Sequence, residues 1–484
     1  MRLRVESDAR TTGDVNHKFY QMQDMSMFRQ TFPRAAFVAA AFAVAAGPLQ
    51  ANPYETTLAN GMKIIVKEDR RAPSVVHMVW YGVGAMDEPA GVSGIAHLLE
   101  HMMFKGTDKV GPGEFNKRVA AIGGRDNAFT SHDYTAYFQQ IPSSRLADVM
   151  QLEADRMSNL KITDANFKPE LEVVKEERRL RTDDQPRSLV NEQLMATAFQ
   201  ANPYGRPIIG WMTDLDTMTS EDARRWHGTW YTPNNARLVV VGDVDHKSVF
   251  DMARKHYGAI KARPLPPRRI TAEPEQLGPR ETVVKAPAEL PYLALAWRAP
   301  TLRDPESDRD VHALKVLAAI LDGYDGARLP RRLVRESQVA VSAGAGYDGT
   351  GRGPQLFVVD GSPAAGKTVA DVEAALRAEI ERIQKEGVAE DELRRVKTQT
   401  VAGQVYKRDS LMGQAMEIGF LEATGLSWRD DDKLLEGIRK VTAEDVQAVA
   451  RKYFTDNTLT RARLDPLPLP ADAKPHAAVP GARH

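Results

Sequence analysis

The sequence predicts an α+β protein made of two homologous halves, and three observations carry that reading. Strand-like and helix-like segments alternate along the chain from Asn60 onward. A stretch rich in proline and charge, "AIKARPLPPRRITAEPEQLGPR", divides the chain at residues 259–280 and reads as a linker. The flanks also repeat. "TSEDARRWHGTWYTPNNARL" from Thr219 and "TAEDVQAVARKYFTDNTLTR" from Thr442 stand 223 residues apart, with matching Thr, Glu, Asp, aromatic and Asn positions. One unit of about 210 residues, copied once, explains the length better than two unrelated domains.

The elements follow in order. From Met27, "MFRQTFPRAAFVAAAFAVAAGPLQANPYE" has Arg29 and Arg34, an apolar run over residues 35–46, then Gly47 and Pro48 and small residues to Ala51. That is the layout of an export signal, and the run is short for a membrane span. Residues 1–51 are therefore expected to hold an export signal, with Met27 as the expected true start and residues 1–26 ahead of it. The mature chain is expected in the periplasm. "MKIIV" and "VVHMVWYGVG" have the β-branched and aromatic content of strands. "FNKRVAAIG" and "RLADVMQLEADRM" have helical periodicity. "KIIVKEDRRAPSVVHMVWYG" parallels "ETVVKAPAELPYLALAWRAP", which sets Trp80 against Trp297. The expected domains are 53–258 and a second copy at 281–467, followed by a tail at 468–484.

Composition excludes several functions. Lys plus Arg equals Asp plus Glu at 65 each, so no basic excess points to nucleic acid or a membrane surface. There is no cysteine, hence no disulfide, thiol nucleophile or thiolate ligand. No G-x-S-x-G elbow supports a serine hydrolase.

The informative stretch is "GIAHLLEHMMFKGT", residues 94–107. On a helix, His97 and His101 lie about 40° apart on one face, one turn above the other, and can converge on one metal ion. Glu100 lies about 60° to the other side of His97, near enough to reach a water on that metal. Leu98, Leu99, Met102 and Met103 seat the helix in a core. A catalytic zinc takes a third protein ligand, and "PELEVVKEERRLR" offers one. Glu170 and Glu177, seven apart, share a sector with Val173 and Val174, with Leu171 and Leu180 at its edges. Glu172, Lys175, Glu176 and Arg179 take the opposite, solvated side. Two carboxylates in an apolar stripe call for a cation. The matching segment of the second copy, "HALKVLAAIL", places Leu314, Leu317 and Ala318 at the positions of His97, Glu100 and His101.

His97, Glu100 and His101, followed after 75 intervening residues by Glu177, resemble the inverted zinc motif of the pitrilysin/insulinase metallopeptidases. "GIAHLLEHMMFKGT" is similar to that family's signature, and "GGRDNAFTSHDYTAYFQQIP" from Gly123 to its substrate-edge segment. The resemblance spans about residues 53–467. It implies that His97, His101 and Glu177 hold one Zn2+, with Glu100 as general base on a zinc-bound water and Glu170 as a supporting acid of the catalytic group. It implies that Asn127 and Ala128 lie on an edge strand whose backbone pairs with an extended peptide substrate. Each half is then a mostly antiparallel sheet with helices packed on one face.

One departure stands out. Many relatives supply an Arg and a Tyr from the second half, where this chain reads "RRLVRESQVAVSAGAGYD". The tyrosine position falls on Val341, and the arginine position on Val334 or, with a one-residue slip, Arg335. A zinc-bearing chain without that pair is expected to dimerise, as a heterodimer with an Arg/Tyr-bearing homologous subunit that lacks the zinc motif. A homodimer, or Tyr347 in the missing role, are the alternatives. The expected activity is zinc-dependent endopeptidase action on peptides or unfolded segments. A non-catalytic assembly subunit of the same fold is the rival, and a peptide-binding module with a structural zinc is a second.

Overall fold

Strands that are apolar on both faces need cover on both faces, and this chain meets that need twice in the same way. The computed structural model describes residues 53–268 and 271–469, so the expected export signal and residues 470–484 of the expected tail lie outside the described residues. The first half runs β1 (Tyr54–Thr57), β2 (Lys63–Glu68), β3 (Ser74–Tyr81), α1 (Ile95–Met102), α2 (Glu114–Ala121), β4 (Arg125–Thr130) and β5 (Thr135–Pro142). It continues with α3 (Leu146–Asn159), α4 (Asp164–Arg178), α5 (Pro186–Ala198), α6 (Met212–Thr217), α7 (Ser220–Trp230), β6 (Ala236–Gly242) and α8 (His246–Tyr257). After the described part of the connecting segment come β7 (Arg280–Pro287), β8 (Tyr292–Ala299), α9 (Arg309–Asp322), β9 (Ala340–Gly346) and β10 (Gln355–Pro363). The chain then forms α10 (Val369–Glu386), α11 (Glu390–Lys407), α12 (Leu411–Ala423), α13 (Asp431–Lys440), α14 (Ala443–Tyr453) and β11 (Leu459–Leu467).

The two sheets are ordered β1-β2-β6-β3-β5-β4 and β7-β11-β8-β10-β9. Apart from β1 they match strand for strand, and each has one parallel pair in the same place, β2 with β6 and β7 with β11. Every other pairing is antiparallel. The repeated Thr219 and Thr442 cap α7 and α14, each accepting an N–H from the Asp three residues on. Two homologous halves, each a mostly antiparallel sheet with helices, is the fold class the sequence predicts.

Alternation along β3 shows how both faces are used. Val75, Val79 and Tyr81 join the core beneath the first half's own helices, whereas Val76, Met78 and Trp80 face the other way. There they meet Met412, Ala415 and Ile418 of α12, a helix of the second half. The exchange is reciprocal. Val190 and Leu194 of α5, in the first half, pack on Ala294, Ala296, Ala462 and Leu464 of the second sheet. Each sheet therefore carries its own half's helices on one face and a single helix from the other half on the second.

The contact of α12 with its host sheet is closest at Gly419, where an added Cβ would overlap the buried Trp80 indole. Gly419→Ala is expected to cost about 1–3 kcal/mol, as overpacking of a filled site does. Gly403→Ala, inside α11 with nothing within 4 Å of an added Cβ, should instead gain up to about 1 kcal/mol from helix propensity. Denaturant midpoints of the two variants test both signs.

Candidate metal centre

Helix α1 starts at Gly94, whose φ of 90° is left-handed and so suits glycine. A Cβ on Gly94 would come 2.5 Å from the Ile209 carbonyl oxygen, so the two backbones meet without side chains. The buried Glu88 carboxylate accepts the Gly94 and Ala96 N–H groups at 2.9 Å each. Glu88 thereby satisfies unpaired donors of the first turn, and those hydrogen bonds oppose the burial that pushes its carboxyl up to about 8. Leu98, Leu99, Met102 and Met103 are buried as expected, and they fix which face of α1 turns toward α4.

That face carries the two imidazoles, with ring centroids 4.8 Å apart. Glu177 of α4 comes opposite them. Its Oε1 is 3.7 Å from His97 Nε2 and its Oε2 is 3.3 Å from His101 Nε2. One donor atom from each of His97, His101 and Glu177 lies within 4.8 Å of the other two. Two imidazole nitrogens and a carboxylate are the donor set of a catalytic zinc with a position left open. His101 Nδ1 is 2.9 Å from Glu170 Oε1, and Lys105 Nζ contacts the other oxygen of Glu170. This carboxylate–histidine pairing leaves Nε2 for a metal. The residues fit the ion.

The charges agree. Burial, with His101 beside it, pushes the His97 imidazole down to about 3, so it is neutral. Burial acts downward on His101 too, but hydrogen bonds to Glu170 and Glu177 outweigh it and hold the group up at about 9. Burial acts upward on Glu177, yet His101 and His97 bring it down to about 2. Glu170 is likewise held low by His101 and Lys105 against its own burial. Without metal, protonated His101 supplies the positive charge that the two carboxylates require.

Glu100 is buried and takes no part in the three-donor group. Thr130, the last residue of β4, donates its hydroxyl hydrogen bond to Glu100 Oε2 at 2.5 Å. Behind them lie the paired hydroxyls of Tyr137 and Tyr231, 2.9 Å apart. Asn127 and Ala128 sit on β4 opposite Phe138 and Tyr137 of β5. Among the described residues β4 ends the sheet and pairs with β5 alone. An edge strand therefore runs beside the helix that bears the trio.

Two expectations of burial are corrected. Val174 and Leu171 are buried, but Val173 is 51% exposed and Leu180 56% exposed. The buried face of α4 carries Phe167, Glu170, Leu171, Val174 and Arg178, with Glu177 at its edge, so Val173 and Leu180 fall just beyond it on the solvent side. Glu170 contacts His101 and Lys105, which makes it a group that orients an imidazole. In the second half, Val341 on edge strand β9 and Arg335 are exposed and Val334 is half-buried. The Tyr347 hydroxyl donates to the Pro300 carbonyl at 2.5 Å and its ring stacks on Phe357. Leu314, Leu317 and Ala318 are core residues of α9. Sequence reasoning missed Thr130, Lys105 and Glu88. Thr130 was within reach, since it shares the strand face of the inward Ala128 two residues before it.

A second group of possible donors, Glu68, Asp245 and His246, lies at the start of α8. Asp245 is the cap of that helix, accepting from Ser248, and Glu68 accepts the His246 N–H. A helix N-terminus disfavours a cation, and those oxygens are engaged.

Comparison with known proteins gives the same reading. The sequence matches "Insulinase (Peptidase family M16)" over residues 63–211 and "Peptidase M16 inactive domain" over residues 217–400. It is 32% identical to the zinc protease PqqE of Helicobacter pylori, over 85% of this chain and 92% of that protein. An uncharacterized zinc protease of Mycobacterium tuberculosis is 30% identical, over 83% of this chain and 91% of its own length. The crystal structure of a protease from Helicobacter pylori superposes with a TM-score of 0.81 at 29% identity, covering 86% of this chain and all (100%) of that one. With a relative of this identity aligned over nearly its whole length, this chain belongs to the insulinase family of peptidases, M16.

Proposed function

We propose that this chain is an exported zinc metallo-endopeptidase that hydrolyses peptides or unfolded segments. The observation that carries the reading is the convergence of His97 Nε2, His101 Nε2 and the Glu177 carboxylate beside buried Glu100. When bound by these three residues, zinc supplies Lewis acidity, both to acidify a water and to polarise a carbonyl. Glu100 acts as the general base: it accepts a proton from the attacking water and returns it to the departing amine. Thr130 holds Glu100 in place for that work through its hydrogen bond to Oε2. Glu170 fixes the tautomer and orientation of His101 through Nδ1. The outer edge of β4 takes the substrate as an added strand, so that backbone hydrogen bonds at Asn127 and Ala128 set which peptide bond lies over α1.

Export rests on the Met27–Ala51 sequence, and the periplasm is the compartment it suggests. The chain works as one partner of a dimer. The exposure of Val341 and Arg335, with Tyr347 engaged inside its own half, favours a homologous subunit that brings the Arg/Tyr pair. The same observation favours the rival reading, a non-catalytic assembly subunit, so activity must decide.

Glu100→Gln is expected to lower kcat/KM on a quenched peptide library by about 10²–10⁴-fold, the range for a lost general base, with zinc content unchanged. His101→Ala should lose the zinc itself. A zinc-replete wild-type chain that stays inactive alone and with its homologous partner would support the assembly reading instead.

Zinc binding has a predictable pH dependence. His101 is held protonated up to about 9 in the metal-free chain, and zinc must displace that proton. Affinity should therefore rise about tenfold per pH unit between roughly pH 7 and 9 and level off above. Chelator competition across that range measures it, and a flat profile would mean that His101 is already neutral.

A further inference from the structure

Among the described residues no group of possible metal donors lies in the second half, yet one of its side chains grips both segments that fix α1. We infer that Arg352 is a positioning residue through which the second half holds the zinc-binding helix and the substrate-edge strand in register. The inference rests on the proposed peptidase reading only for its catalytic consequence.

Two supports of α1 have been described: Glu88, which caps its first turn, and Thr130, which holds Glu100. Each lies within three residues of one that Arg352 binds. Glu88 follows Asp87, and the Arg352 guanidinium makes a bidentate pair with the Asp87 carboxylate, 2.7 Å to each oxygen. Thr130 leads into the β4–β5 turn, where Arg352 binds Asp133 twice. Its backbone N–H donates to Asp133 Oδ2 at 3.0 Å, and its guanidinium donates to the Asp133 carbonyl at 3.1 Å. Bidentate arginine–carboxylate pairs are the most directional ion pairs available, and here Asp87 and Asp133 are both buried.

The two gripped segments also hold each other. Ala85 and Met86 donate their N–H groups to the Ser131 and His132 carbonyls at 3.0 and 2.9 Å. Gly84 has no room for a side chain, since a Cβ would lie 2.6 Å from the His132 oxygen. Buried Tyr204 closes the cluster: its hydroxyl donates to Asp133 and accepts the Arg352 and Gly353 N–H groups at 3.1 and 3.0 Å.

The loop that presents Arg352 is shaped for this contact. Its neighbours are Gly351 and Gly353, and a Cβ on either would come 2.9 Å from Tyr204, at the hydroxyl and at the ring. Only glycine allows the backbone so close to that ring. Arg268, from the connecting segment, reaches Asp87 at 3.4 Å. It can keep part of the grip on Asp87 but makes no contact with Asp133. The hairpin that carries Asn127, Ala128 and Thr130 thus depends on Arg352 more than the Glu88 turn does.

The test is hydrogen exchange followed by mass spectrometry on the zinc-free full chain, beside steady-state kinetics of the zinc-loaded chain. In Arg352→Ala, amides of residues 127–135 should exchange about tenfold faster or more, and those of the first turn of α1 by a smaller factor. Amides of α10 and α14, in the same half, should keep their protection. Arg352→Lys keeps the charge without the fork and should fall between, which holds the test open if the alanine variant does not fold. Arg309→Ala, an exposed pair elsewhere, should match wild type. In the loaded enzyme Arg352→Ala should lower kcat about tenfold, as Glu100 loses its place, and raise KM as well, as the substrate-edge strand loosens.

Unchanged exchange at residues 127–135 would overturn the inference whatever the kinetics show. So would faster exchange spread evenly over the second half, because that is a stability effect. Faster exchange at the hairpin with wild-type kcat would overturn the transmission to Glu100. An inactive wild type would count against the peptidase reading alone, and the exchange pattern would still decide the role of Arg352.

Discussion

A sheet apolar on both faces cannot leave one of them in water, and that constraint orders this molecule. The outward face of the first sheet, with Ile65, Val76, Met78, Trp80, Val239 and Val241, is covered by α12 from the second half. The second sheet is covered in turn by α5. Burial of each large aliphatic side chain contributes about 1.5–3 kcal/mol, so undoing either exchange would expose several such groups at once. The halves are therefore not independent domains on a linker, even though each has its own core.

The candidate metal centre inherits its geometry from this exchange. Glu177 lies one residue before the end of α4. The chain then makes a π-helical turn at Arg179–Asp183 and enters α5, which must lie on the second sheet. Wide turns of this kind are rare and recur at functional positions. Here the turn frees α4 and α5 to point in different directions. Arg178, at the end of α4, ties the junction down by pairing with Glu192 of α5 at 2.8 and 3.0 Å and donating to the Gly210 carbonyl at 2.8 Å. Gly210 is the residue packed against Gly94 at the start of α1. Glu177 and the two histidines are thus referenced to the same point.

How far the sequence could be read follows from these contacts. The trio on α1 was legible because its geometry is local: four residues of helix fix the angle between His97 and His101 whatever surrounds them. The repeat was legible because both copies keep the same capping threonines and strand order. Spacing also put Glu170 and Glu177 on the side of α4 that meets the protein, but an angle around a helix axis does not say how far the buried face extends. Val173 was read as buried and is exposed for that reason. Partners far apart in the chain were out of reach altogether. Asp87 and Arg352 stand 265 residues apart, and neither has a local pattern that names the other.

The same distinction explains what the second copy has lost and kept. On α9, Leu314 and Leu317 are fully buried aliphatic groups where the first copy has an imidazole and a carboxylate. An imidazole or a carboxylate buried there without partners would be destabilising, so apolar side chains suit a copy that lacks the rest of the candidate metal group. Nothing of that kind acts on the sheet or on the exchanged helix, whose value lies in the partner half. A duplicated unit can therefore shed its chemistry while keeping its fold, because what it covers in the other half is still needed there.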